Sequence, residues 1–150
     1  MPSSVPPPRP FSGVRPRGPL VLVVEESTDT RELYSAELAA AGFMVLEAAD
    51  GAAAIEKALR FGPHAVVLDL LLPGIDGFKV ARRLRGEDRT SDVAILAVAP
   101  RTGDRLEVVA KAAGCDAFLA KPVLGAALVG EIVRLLAAKR SVADLTRVKR

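Results

Sequence analysis

The run His64-Ala65-Val66-Val67-Leu68-Asp69 is followed directly by Leu70-Leu71-Leu72-Pro73-Gly74-Ile75-Asp76-Gly77. An apolar, β-branched segment that ends in one carboxylate and then turns sharply reads as a buried strand carrying an acid to the edge of a sheet. A carboxylate there can ligate a metal, act as a nucleophile, or do both. The segments on either side repeat the pattern. Leu20-Val21-Leu22-Val23-Val24 is a short apolar run ending at Glu25-Glu26, with Ser27 or Thr28 able to cap the helix that follows. In that helix Tyr34, Leu38 and Ala41 fall on one stripe, and Gly42 stops it. Met44–Ala48 is a second strand, and Asp50 starts a helix with Ile55, Ala58 and Leu59 on one face. After Asp69 comes a helix from Gly77 with Val80, Ala81 and Leu84 inward, then a strand over Ala94–Ala99. A helix over Asp104–Ala113 and a strand over Ala117–Ala120 precede Lys121-Pro122. The last helix is expected from about Gly125 to Lys139, with Leu128, Ile132, Leu135 and Leu136 on its stripe, and Ser141-Val-Ala-Asp-Leu145 can extend a helix by a turn or two.

Short apolar strands alternating with amphipathic helices require a parallel sheet covered on both faces. Right-handed crossovers limit the fold to a doubly wound, five-stranded α/β sandwich of three layers. In such sheets the site lies outside the carboxyl ends of the strands, near the switch in strand order. That rule selects Glu25-Glu26, Asp69, Ala99 and Lys121.

Composition narrows the classes. With 150 residues, 50% of them hydrophobic, the chain can bury one proper core. A single cysteine, Cys115, makes no internal disulfide, and no apolar stretch approaches the roughly 18 residues of a membrane span. A cytoplasmic location is therefore expected. Residues 1–18 hold six of the eleven prolines together with Arg9, Arg15 and Arg17, and read as a disordered arm. Residues 140–150 read as a basic C-terminal tail, leaving 19–139 as the folded domain. Of the net +3, the arm carries +3 and residues 139–150 carry +4, so residues 19–138 carry −4. An acidic body argues against direct nucleic-acid binding by the folded domain.

If the first and third strands are neighbours, Glu25, Glu26 and Asp69 converge. Like charges about 4 Å apart repel by about 4 kcal/mol at an effective dielectric of 20. The cluster needs a cation, which Lys121 and a divalent ion supply, and oxygen-only ligands favour Mg²⁺. A carboxylate beside Mg²⁺ and a fixed ammonium is set up to accept a phosphoryl group.

Residues 19–139 resemble the receiver domain of two-component response regulators. The matching residues are Val23-Val24-Glu25-Glu26, Leu68-Asp69-Leu70-Leu71-Leu72-Pro73-Gly74-Ile75-Asp76-Gly77 and Phe118-Leu119-Ala120-Lys121-Pro122. The resemblance implies a flavodoxin-like strand order 2-1-3-4-5. It implies phosphorylation of Asp69 by a sensor histidine kinase or phosphotransfer protein, and Mg²⁺ held by Glu25, Glu26, Asp69 and the Leu71 carbonyl. Lys121 is then the lysine that pairs with the phosphoryl group, before a cis Pro122, and Phe118 is the aromatic switch. The output is expected through a separate protein, with a homodimer possible on the helix-four, strand-five, helix-five face.

Two positions depart from the family pattern. Both acids of the pair are Glu, where an Asp is usual. The switch position at the end of strand four is Ala99, followed by Pro100, where the family has Thr or Ser. A lost hydrogen bond to a charged acceptor costs about 1.5–3 kcal/mol, comparable to allosteric coupling energies of about 1–3 kcal/mol. Weak coupling to helix four is expected, Thr102 in the nearby loop being the hydroxyl that could substitute. The alternative is a degenerate receiver that acts as an interaction module without phosphorylation.

Other chemistries lack their residues. An aspartate-nucleophile phosphatase needs a second acid where Leu71 stands. No phosphate-binding glycine loop occurs, and Glu25-Glu26-Ser27 has the wrong charge for a flavin phosphate, so no cofactor-binding motif is read. His64 lies about 16 Å along the strand from Asp69 at 3.3 Å per residue, too far to serve as its base. It reads as a solvated strand-start residue, Cys115 as packing, and Asp76-Gly77 as a turn and cap.

Overall fold

A computed structural model describes residues 18–100 and 104–148. Residues 1–17 of the expected arm, and Thr102, lie outside the described residues. The elements are β1 (Leu20–Val24), α1 (Thr28–Ala40), β2 (Met44–Ala48), α2 (Gly51–Phe61) and β3 (Ala65–Asp69). They continue with α3 (Gly77–Gly86), β4 (Ala94–Pro100), α4 (Asp104–Ala112), β5 (Ala117–Lys121) and α5 (Gly125–Val148). The strands form one parallel sheet in the order β2-β1-β3-β4-β5. The family-like order is thus present. β1 lies at the point where the strand order reverses, with β3 beside it.

The strand sequences are continuously apolar because both faces are covered. Every residue of β3 is buried. Val66 and Leu68 join Leu22, Val24, Ile95 and Ala97 in one core with residues of α2, α3 and α4, including Ile55, Leu84 and Ala110. Ala65 and Val67 join Val21, Val23, Leu96 and Val98 in a second core with Tyr34 and Leu38 of α1 and Leu128, Ile132 and Leu135 of α5. The period-2 alternation of strand side chains assigns neighbouring residues to opposite cores.

Helix starts follow local chemistry. Ser27, Asp50 and Asp76 are the N-caps of α1, α2 and α3, their side chains accepting from the N–H groups of Thr30, Ala53 and Lys79. Gly42 and Gly62 adopt the positive φ expected of helix-stop glycines. The N-cap of α1 is therefore Ser27, not Thr28. Ala41 is exposed, so the inward stripe of α1 stops at Leu38. β4 runs one residue further than expected, to Pro100.

The largest difference concerns α5. It continues to Val148, nine residues past the expected end at Lys139. The apolar stripe that marks a buried helix ends near Leu136, but the backbone needs no burial to continue. No Gly or Pro follows Gly130, and Ala, Leu, Lys and Arg are strong helix formers. The segment expected to be a tail is thus helical through Val148. No helix among the described residues is long and apolar enough to cross a membrane.

His64 is exposed, as expected, yet it is also structural. Its Nδ1 accepts from the Leu20 N–H at 3.0 Å, while its own N–H donates to the Leu20 carbonyl at 2.8 Å. It pins the start of β1 at the end of the sheet away from Asp69. Cys115 is buried, and burial pushes its thiol up to about 11, which leaves it protonated and inert at neutral pH.

Candidate functional site

Three strand ends meet at the carboxyl edge of the sheet. Asp69 closes β3, Glu25 follows β1, and Lys121 closes β5, paired in register with Pro100. Asp69 arrives on a fully buried strand and Glu25 directly after one, whereas Lys121 closes the partly buried edge strand β5. The Lys121 ammonium lies 2.9 Å from Oε1 of Glu25 and 3.4 Å from Oδ2 of Asp69. Asp69 is 5% exposed and Glu25 3%. The second oxygen of each acid is held by backbone: Oδ1 of Asp69 accepts from the Leu71 N–H at 2.9 Å, and Oε2 of Glu25 from the Ser27 N–H at 2.9 Å. Lys121-Pro122 is a cis peptide bond, as the resemblance implied.

One ammonium thus serves two buried carboxylates, and it sits closer to Glu25. Burial, and then the Glu25 charge, hold the Asp69 carboxyl above the usual carboxylate range, against the pull of the Leu71 N–H and Lys121. For Lys121 burial works downward, but the hydrogen bond to Glu25 and the two acidic charges outweigh it, and its pKa is raised. The two shifts agree in meaning: the lysine is well satisfied, chiefly by Glu25, and Asp69 is not.

The other sequence-predicted residues divide. Glu26 is exposed, and only its carbonyl is engaged, by Arg31 at 3.2 Å. Among the described residues no group of three or more His, Cys, Asp and Glu stands together as a metal cage. The structure therefore brings together Glu25, Asp69 and Lys121 but not Glu26. Leu71 contributes its N–H to Asp69, and its side chain is 54% exposed. Ala99 is fully buried in the core shared with α2, α3 and α4, one residue before the end of β4, and offers only a methyl group. Phe118 packs, half-buried, against that same core, as does Leu106 of α4.

A divalent cation fits this donor set in charge and chemistry. Two buried carboxylates against one ammonium leave a net negative charge in a desolvated place, and carboxylate oxygens are the donors Mg²⁺ takes. Arg31 was not singled out from the sequence. Its guanidinium donates to the carbonyls of Glu25 at 2.8 Å and Glu26 at 3.2 Å and pairs with Glu47 at 3.2 Å, fixing the acidic turn between β1 and α1. Its signal was too local to notice: an arginine in the first turn of a helix, where the macrodipole disfavours cations.

Comparison with known proteins bears on the family and the fold. A family model for the response regulator receiver domain matches residues 21–133. The chain is 37% identical over 125 residues to the transcriptional regulatory protein PrrA of Mycobacterium tuberculosis, covering 83% of this chain and 53% of that protein. It is 33% identical over 104 residues to the DNA-binding dual master transcriptional regulator RpaA of Synechocystis, covering 69% of this chain and 43% of that protein. The chain thus spans about half the length of these curated relatives. Among solved structures it is similar to a response regulator of Chloroflexus aurantiacus, with a TM-score of 0.78, 30% identity and coverage of 81% of this chain and 99% of that one. It is also similar to the chemotaxis protein CheY4 of Vibrio cholerae, with a TM-score of 0.75, 28% identity and coverage of 78% and 98%.

Proposed function

The chain belongs to the response regulator receiver family of two-component signal transduction, and from that premise we propose that Asp69 is its phosphoacceptor. Receiver domains generally work with histidine kinases and output domains, generally bind Mg²⁺ at the phosphorylation site, and are generally not classical enzymes. For this chain the phosphodonor is a phosphohistidine of a sensor kinase or phosphotransfer protein, in the cytoplasm. A carboxylate oxygen of Asp69 forms the P–O bond as the P–N bond breaks, and the leaving imidazole keeps the electron pair. Lys121 places its ammonium against the added phosphoryl oxygens. Glu25, Asp69, the Leu71 carbonyl and Glu26 from the exposed rim would hold Mg²⁺, which when bound neutralises charge on the transferring oxygens. The only catalysis proposed is self-phosphorylation from small phosphodonors and slow hydrolysis of the acyl phosphate. The signal leaves through protein contacts, with the α4, β5, α5 face as the first candidate for an output protein or a second copy.

The observation that carries this reading is the Lys121 ammonium shared between buried Glu25 and Asp69. Incubation with acetyl phosphate and Mg²⁺ is expected to add one phosphoryl group by intact mass, absent in Asp69→Asn and formed about a hundredfold more slowly in Lys121→Met. Full labelling of Asp69→Asn would overturn the assignment.

Ala99 favours a second reading, in which the fold serves as a phosphorylation-independent interaction module. Under that reading acetyl phosphate adds no mass. Under the first, beryllofluoride binds but shifts the α4 amide resonances only weakly, and Ala99→Ser enlarges the shift.

A further inference from the structure

Every polar group of Glu25 is engaged. Its N–H donates to the Ala48 carbonyl at 3.1 Å, its carboxylate meets Lys121 and the Ser27 N–H, and its carbonyl accepts from Arg31. The Arg31 contact reaches beyond Glu25. One guanidinium nitrogen, Nη1, donates both to the Glu25 carbonyl at 2.8 Å and to the Glu26 carbonyl at 3.2 Å. Two consecutive carbonyls held on one nitrogen fix the planar peptide between them, and with it the direction in which each acidic side chain leaves the turn. The guanidinium is itself anchored. Its Nε donates to Glu47 of β2 at 3.2 Å, and the Arg31 side chain is 15% exposed. Glu47 stands in register with Val23 of β1, two residues before Glu25. A line of contacts therefore runs from the edge strand, through Arg31, to the backbone of the acidic turn. Helix α1 gains nothing from a cation in its first turn, where the macrodipole opposes it.

We infer that Arg31 is a positioning residue for the metal site: by holding both carbonyls of the acidic turn, it sets the directions from which Glu25 and Glu26 reach a divalent cation shared with Asp69. The inference rests on the reading of the site as one that takes Mg²⁺, whereas the hold on the turn does not. Charge and positioning have opposite effects here. As a charge, a guanidinium beside two acids repels a divalent cation, so its removal alone tightens binding. As the holder of the turn, its removal weakens binding, because losing an outer group that orients metal ligands typically costs about 10–100-fold in affinity. Glu47 favours the second effect: its carboxylate offsets the guanidinium charge and leaves the geometry in place.

Titration of full-length protein with Mg²⁺, followed through the Ser27 and Leu71 amide resonances, separates the two effects. Arg31→Gln is expected to bind Mg²⁺ about tenfold more weakly than wild type. Arg31→Lys keeps the charge but not the fork, and is expected to bind it more weakly as well. Unchanged or tighter binding in Arg31→Gln would overturn the positioning role, as would wild-type affinity in Arg31→Lys. A role in stability alone lowers the unfolding midpoint and leaves the affinity of the folded protein unchanged. Without metal, Arg31→Gln is expected to speed solvent exchange of the Ser27 amide about tenfold, and wild-type exchange there would overturn the hold on the turn. If wild-type protein takes no Mg²⁺, the metal reading of the site falls and the positioning role falls with it. If Arg31→Gln binds Mg²⁺ more weakly while wild type takes no label from acetyl phosphate, the positioning role stands and the phosphoacceptor reading falls.

Discussion

Asp69 is a residue held at a cost. Its carboxyl is raised above the ordinary range by burial first and by the Glu25 charge. With a folded-state pKa above the unfolded one, the folded protein binds the proton more tightly. Stability therefore falls as pH rises from the unfolded value through the raised one, and the loss persists at neutral pH. We predict that Asp69→Asn, without divalent ions, unfolds at higher urea than wild type at pH 7, by about 1 kcal/mol. The gain should shrink as the pH falls toward about 4; an Asn variant less stable than wild type at pH 7 would contradict the account. Asp69, Glu25 and Lys121 were legible as charged residues at three strand ends, because strand ends are what a doubly wound sheet gathers together. Glu26 was read as their equal; it stands on the exposed rim, with its carbonyl held by Arg31. Tyr34 was legible as a core residue from its stripe, and it packs with Leu38 of α1 and Leu128 and Ile132 of α5.

At the scale of elements, one side chain ties four of them. Arg85, in the last turn of α3, donates to the carbonyls of Gly114 at 2.9 Å, Ser91 at 3.0 Å and Val93 at 2.6 Å, and pairs with Asp116 at 2.8 Å. Asp116 in turn accepts from the Ile95 N–H at 2.8 Å and meets Lys139 of α5 at 3.3 Å. The guanidinium thereby closes the entrance to β4 and the α4–β5 turn and links both to α5. We predict that Arg85→Met lowers stability by about 3 kcal/mol in urea denaturation, since three carbonyls and a half-buried carboxylate lose their partner. Arg85→Lys should recover little, because an ammonium cannot fork across the same acceptors. A loss under about 1 kcal/mol would show that water replaces the guanidinium. None of this was visible beforehand: Gly114 and Asp116 lie 29 and 31 residues from Arg85. The caps Asp50 and Asp76 were visible, because their partners lie three residues away. The stripe placed the end of α5 near Lys139, with a turn or two beyond it left open, and the helix runs to Val148, because a stripe reports where a helix is buried, not where it stops.

The described residues form one sheet with two cores, and the strands belong to both. Alternating apolar runs and helices made that architecture readable before any coordinates, and the strand order came from the family resemblance. We predict a single unfolding transition. Leu84→Ala empties space in the α2, α3, α4 core and should cost about 2–5 kcal/mol. Tyr34 reports from the opposite core, and its fluorescence midpoint should fall by the same amount as the far-ultraviolet circular dichroism midpoint. Separate midpoints would mean that the two faces melt independently. One proportion of the fold bears on signalling. Helix α5 spans 24 residues, about 36 Å at 1.5 Å per residue, whereas the five residues of β5 cover about 17 Å. Its base stands four positions after Lys121, and Leu128, Ile132 and Leu135 fasten its first half to the sheet, so the unfastened length lies beyond Leu135. A tilt of about 5° over the whole helix would correspond to about 3 Å at the tip, so any change at the pocket end would be felt most by whatever meets the other.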